Sequence, residues 1–138
     1  TLKPSAYGPE SGTLTFTDNI TGGSQQIPLT GSGPNFAIAA SPNTLTVTHG
    51  SISPPSTITL TPQAKFAQPV ALSCPTGLPS GATCLFSVNP VQLHGGSAQT
   101  SSLTIQTSSS TPPGTYTVTT TGTFSPLSNS ATITLTVQ

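Results

Sequence analysis

Charge is what this sequence most lacks. In 138 residues the only charged side chains are Lys3, Lys65, Glu10 and Asp18, there is no Arg, and the formal net charge is zero. Two cations make no basic patch, so the electrostatic footprint that draws a protein onto nucleic acid is missing. From Phe36 to Gln138 there is neither Asp nor Glu. General acid–base pairs, Ser-His-Asp triads and the carboxylate pairs of glycoside hydrolysis all need an acid, so the expectation is that the protein is no enzyme. Calcium sites need several hard oxygen ligands, usually carboxylates, and a structural zinc needs about four ligands. His49 and His94 are the only imidazoles, and each stands directly before a Gly in a turn. They read as solvated turn residues, and no metal or cofactor is expected. Long apolar runs are also absent. Nothing approaches the roughly 18 residues that a membrane span needs, and no signal-peptide pattern opens the sequence, as expected if such a segment has been removed or lies outside it.

What fills the chain instead is hydroxyl. Ser and Thr supply about a third of the residues, and Thr alternates with Val, Leu and Ile along almost every segment. Disordered chains rich in Ser, Pro and Gly lack that periodicity. Thr suits a strand because its branched Cβ fits a pleated surface while its hydroxyl tolerates water. The pattern predicts an all-β protein whose polar faces are built of hydroxyls.

The stretch Val70 to Pro90, VALSCPTGLPSGATCLFSVNP, holds both cysteines. Val70, Leu72 and Cys74 alternate before a Pro/Gly-rich connection, and Cys84, Phe86 and Val88 alternate after it. A period of two marks strands with one buried face, so the stretch reads as a hairpin. Cys74 and Cys84 fall on the inward line and are expected to form a disulfide, which favours an exported protein; two reduced, buried thiols in the cytosol are the alternative. The surrounding pattern restarts at Phe36 and runs to the end as seven or eight strands with turn signals about every ten to twelve residues, which argues for a two-sheet sandwich. Its core is predicted to contain Leu45, Val47, Ile58, Leu60, Val70, Leu72, Phe86, Val88, Leu103, Ile105, Tyr116, Val118, Ile133 and Leu135, with neighbouring threonines facing water. Phe36, Phe66 and Phe124 look too scattered to form an aromatic platform, and the latter two are placed under loops.

Residues 1–33 form a unit of their own. GTLTFTDN puts Leu14 and Phe16 on one face, TGGSQ is turn chemistry, and QIPLTGSG returns with Ile27 and Leu29. This predicts a β-hairpin extension, then a linker at 34–35, then the sandwich at 36–138. A lone hairpin is marginal in water, and these four side chains make an apolar face too large to leave wet. Three readings stay open. The hairpin is the end of a sandwich whose beginning is missing here, or it assembles onto a neighbouring copy, or it packs onto its own sandwich.

SPNTLTVTHG, VALSCPTGLPSGATCLFSVNP and SSSTPPGTYTVTTTGTFSPLSNSATITLTV resemble the immunoglobulin-like repeat domains of bacterial secreted and cell-surface proteins, over Phe36 to Gln138. SGTLTFTDNITGGSQQIPLTGSG resembles the closing strands of an Ig-like domain of the abnormal-spindle/hydin type. These resemblances imply an Ig-like sandwich outside the cell or on its surface, used as spacer, adhesive or assembly unit. The expected function is a non-enzymatic structural module of a surface fibre or multidomain surface protein, polymerising by donation of the hairpin residues Leu14, Phe16, Ile27 and Leu29 to a neighbouring subunit. Expected partners are a second copy, head to tail, or neighbouring Ig-like domains. The alternative is a carbohydrate-binding or adhesive accessory module with glycan partners. The intramolecular Lys–Asn crosslink of pilin Ig-like domains needs a nearby acid, which Lys65 lacks within its sandwich.

Two single residues complete the reading. Tyr116 follows Pro112-Pro113-Gly114 at the start of a strand, where a tyrosine corner would return its hydroxyl to upstream backbone; a sugar-stacking platform is the alternative. Asn19-Ile20-Thr21 is a glycosylation sequon, and an ordinary turn is the competing reading.

Overall fold

A computed structural model describes residues 6–17 and 24–138. Among the described residues the regular elements are eleven strands and no helix. Strands β1 (Pro9–Thr17) and β2 (Ser24–Ser32) form a two-stranded sheet. The rest of the chain forms β3 (Asn35–Ser41), β4 (Thr44–Val47), β5 (Ser56–Gln63), β6 (Pro69–Thr76), β7 (Thr83–Phe86), β8 (Val91–Gln92), β9 (Gln99–Gln106), β10 (Gly114–Phe124) and β11 (Leu127–Val137). One sheet has the order β4-β11-β10-β6-β8 and the other β3-β5-β9-β7.

Alternation explains both sheets. β10 and β11 pair along their whole length, with Val118 opposite Ile133 and Tyr116 opposite Leu135 on one face, and Thr117 opposite Thr134 and Thr119 opposite Thr132 on the other. In the second sheet Ile38, Leu60 and Gln99 lie in one row, and Ala40, Ile58 and Ser101 in the next. The apolar faces of both sheets meet in one core that includes Ile58, Leu60, Leu103, Ile105, Val118, Ile133 and Leu135, all fully buried. Each such side chain contributes about 1.5–3 kcal/mol relative to exposure.

The strand count differs from the seven or eight antiparallel strands that the pattern predicts. Nine strands follow residue 34, and β4 pairs with β11 in parallel. The stretch from Phe36 to Val47 reads as one strand with a break, but the break sends its halves into different sheets. Pro42 has no N–H to continue the ladder with β5, and its carbonyl accepts the Ser56 hydroxyl at 2.7 Å. β4 then pairs with β11 across the molecule. The linker expected at 34–35 is shorter, since Asn35 already pairs with Gln63 as the first residue of β3.

The hairpin expected around the cysteines is also corrected. β6 belongs to the five-stranded sheet and β7 to the four-stranded one, so their inward lines face each other across the core instead of lying side by side. The connection turns at Gly77 (φ 85°) and Gly81 (φ 75°). A Cβ on Gly77 would overlap the Thr117 carbonyl oxygen, so this arch passes close over β10 only because the position is glycine. Cys74 and Cys84 are bonded at 2.06 Å and join the two sheets.

Of the expected core, Phe86 and Tyr116 are half-buried and Val88 is 48 % exposed. The period of two fails at Val88 because the chain leaves β7 there and crosses between the sheets. Ser101 Oγ accepts from the Val88 amide at 3.1 Å and donates to its carbonyl at 2.8 Å. Asn89 does the same for Leu72, accepting from its amide and donating to its carbonyl, each at 2.8 Å. Side chains therefore replace strand pairing along this crossing. Threonines do not all face water either: Thr107, Thr111 and Thr120 are buried. Thr107 donates to the Ser51 carbonyl at 2.9 Å and Thr111 accepts from the Ser108 amide at 3.0 Å, so each closes a loop. Thr120 packs 3.9 Å from the Cys74 sulfur.

The double variant Cys74→Ser with Cys84→Ser is expected to lose roughly 2–3 kcal/mol of stability, the chain-entropy contribution of so short a loop. Urea denaturation with far-UV detection measures the difference.

Candidate interaction site at the hairpin

The register of β1 with β2 sets Leu14 opposite Ile27, Gly12 opposite Leu29 and Phe16 opposite Gln25. Directly opposed residues share a face of the ladder, and alternate residues along one strand return to it. Leu14, Phe16, Ile27 and Leu29 therefore lie on a single face. It is not covered by the protein's own sandwich: Leu14 is 44 %, Phe16 53 % and Ile27 48 % exposed, and Leu29 is half-buried. Gln25, Gln26 and the threonines 13, 15 and 17 complete a two-stranded ribbon whose one charged side chain among the described residues, Glu10, lies at its base.

The other end of the ribbon is anchored. The Gly8 amide donates to the Pro34 carbonyl at 3.2 Å, and the Gly33 amide donates to the Gly8 carbonyl at 2.6 Å. The Ala6 amide donates to the Glu10 carboxylate. Gly33 is buried, and a Cβ there would overlap the Ala6 carbonyl oxygen. Beside this crossing the Tyr7 ring packs edge-on to Phe124 (centroids 5.3 Å) and to Phe66 (5.9 Å). Phe66 in turn lies 5.4 Å from Phe36 and 5.5 Å from Phe124.

Three aromatics that look scattered in sequence are thus gathered by the fold. Phe36 comes from β3, and Phe124 ends β10. Phe66 follows two left-handed residues, Ala64 (φ 47°) and Lys65 (φ 62°), in the connection from β5 to β6. That turn lets the Phe66 amide reach the Gln63 carbonyl at 3.0 Å and drops the ring into the core. Two non-glycine residues in this conformation cost on the order of 1–3 kcal/mol each, which burial of the phenyl ring offsets in part. Gly122 leaves the space for Phe36, since a Cβ there would stand 3.1 Å from its ring and 3.0 Å from Val70. Sequence reasoning missed Tyr7 in this cluster. Its one signal was an aromatic two residues before the first strand, next to a glycine.

The remaining candidate residues are dispersed. The Tyr116 hydroxyl donates to the Pro112 carbonyl at 3.0 Å, the geometry of a corner four residues back. Cys74 and Cys84 lie half-buried between the sheets. His49 and His94 are exposed in turns before Gly50 (φ 76°) and Gly95 (φ 76°). Lys65 is exposed at its own turn. Among the described residues no group of three or more His, Cys, Asp or Glu is placed to hold a metal ion. Asn19 lies outside the described residues.

No family model and no curated protein matches this sequence. Solved structures do. Domains 4 and 5 of the S-layer protein SbsC align with a TM-score of 0.50 at 18 % identity, over 94 % of this chain and 58 % of that one. An endo-fucoidan hydrolase of glycoside hydrolase family 107 aligns with a TM-score of 0.42 at 18 % identity, over 96 % of this chain and 19 % of that one. The chain thus spans little more than half the S-layer structure, and what the two share is an all-β fold.

Tyr116→Phe is expected to lower stability by about 0.5–1.5 kcal/mol, the net worth of one hydrogen bond. Urea titration against the unaltered protein reads it, with the slope m unchanged.

Proposed function

We propose that this chain is a non-enzymatic structural module of a bacterial surface fibre or multidomain surface protein. It stands outside the cell as an Ig-like sandwich, and its β1–β2 hairpin is donated to the sheet edge of a neighbouring subunit. The observation that carries this reading is the uncovered face of Leu14, Phe16 and Ile27 on a ribbon anchored at its other end. The disulfide between Cys74 and Cys84 supports an oxidising location. The passage of β3 into β4 from one sheet to the other supports the Ig-like reading, as does the tyrosine corner at Tyr116. The absence of any carboxylate from Phe36 to Gln138 supports a role without catalysis.

Magnitudes set what the hairpin has to do. Covering the exposed halves of three large side chains yields on the order of 2–4 kcal/mol. Association itself costs about 4–15 kcal/mol, so the apolar face alone does not hold two molecules together. Backbone pairing along the nine residues of a hairpin strand has to supply the rest, which is the arrangement of strand addition. A head-to-tail contact of this kind extends into a filament wherever its rotation does not close into a ring.

Light scattering across a concentration series up to about 1 mM (a weak contact in the affinity scale) tests the reading. The unaltered protein is expected to gain mass with concentration. The pair Leu14→Lys with Ile27→Glu keeps an opposed cross-strand couple but removes the apolar face, and it is expected to stay monomeric. An unaltered protein that remains monomeric throughout overturns donation.

A further inference from the structure

Two points of attachment distinguish a rigid bracket from a hinge, and the base of the hairpin has two. On the β2 side the chain itself continues through Gly33 and Pro34 into β3. That covalent tether leaves the ribbon free to swing about a glycine. On the β1 side the attachment is not covalent. Tyr7 sits one residue before Gly8, and its ring packs edge-on into Phe66 and Phe124 at 5.9 and 5.3 Å. Neighbouring strands run about 4.8 Å apart, so the two attachments act on adjacent strands of the same ribbon.

We propose that Tyr7, seated against Phe66 and Phe124 and clamped by the Gly8–Pro34 and Gly33–Gly8 hydrogen bonds, is a joint that fixes the direction of the hairpin relative to the sandwich. The residues around it are shaped for that contact. Gly8 adopts φ 84°, and a Cβ there would lie 3.5 Å from Leu127. Gly33 lets the Ala6 carbonyl cross directly over it, so the segment carrying Tyr7 lies flat on the β2–β3 junction. Phe66 is 1 % exposed and touches Tyr7, Phe36 and Phe124, so the seat is part of the core and moves with it. The hairpin therefore leaves the sandwich at a set angle whatever covers its apolar face. A filament or a tandem array built through it inherits that angle at every unit.

The test is backbone ¹⁵N relaxation on the full chain carrying Leu14→Lys and Ile27→Glu, so that self-association cannot order the hairpin. With Tyr7 present, amides of β1 and β2 are expected at the order parameters of the sandwich, about 0.85. Tyr7→Ala is expected to drop them below about 0.6, while the contacts between Thr15 and its cross-strand partner Gln26 persist and the amides of Ile58 and Val118 stay unchanged. Gly33→Ala, which displaces the Ala6 carbonyl, is expected to release the hairpin in the same way, and Tyr7→Phe to retain full order because the ring makes the contacts. Low order in the hairpin with Tyr7 in place overturns the proposal. So does full order in Tyr7→Ala, or loss of the Thr15–Gln26 contacts in that variant, which would make Tyr7 a prop for hairpin folding.

Discussion

Between the five- and four-stranded sheets, Ile58, Leu60, Leu103, Ile105, Val118, Ile133 and Leu135 are removed almost completely from water. The rest of the structure depends on that removal. With so few charges in the chain, ion pairs contribute little to holding the sheets together, and the disulfide ties them at one place only. Burial is non-directional, so it needs the strict alternation of the strands to present one apolar face per sheet. Within the sandwich, the other contacts described above bring strands into register with that core or carry the chain from one sheet to the other.

The hydroxyls divide into two roles by the face on which they fall. Outward threonines such as Thr117, Thr134, Thr119 and Thr132 form rows on the five-stranded sheet and keep it wettable without charge. Inward or loop hydroxyls act as substitutes for backbone. Ser53 accepts from the Ile105 amide at 2.9 Å, Ser56 satisfies the Pro42 carbonyl, and Ser101 holds both polar groups of Val88. These contacts occur where strand pairing is interrupted by a change of sheet. Buried polar groups left alone would each cost about 1–3 kcal/mol, and none of the described buried side-chain polar atoms lacks a partner.

The hairpin obeys a different balance from the sandwich. Its strands pair along nine residues, yet the apolar face they create has no second layer within the described residues. What stabilises it inside this chain is its base, where Tyr7 enters the sandwich core and Gly8 and Gly33 allow two backbone segments to cross. One end of the ribbon is seated in a core and the other is uncovered, and this contrast is the physical ground of the proposed assembly role.

Alternation alone made the all-β class, the inward line of Leu45, Ile58, Leu103, Val118 and Ile133, the pairing of the two cysteines and the face of Leu14, Phe16, Ile27 and Leu29 legible in the sequence. A period of two is a local property, set by residues next to one another in the chain. Which sheet a strand joins is not local. The split of β3 from β4, the placement of β6 and β7 in opposite sheets and the exposure of Val88 follow from where distant strands lie, and no spacing within a segment encodes that. The meeting of Tyr7, Phe36, Phe66 and Phe124 belongs to the same class: four rings drawn from positions spread over the whole chain become neighbours only when the sheets close.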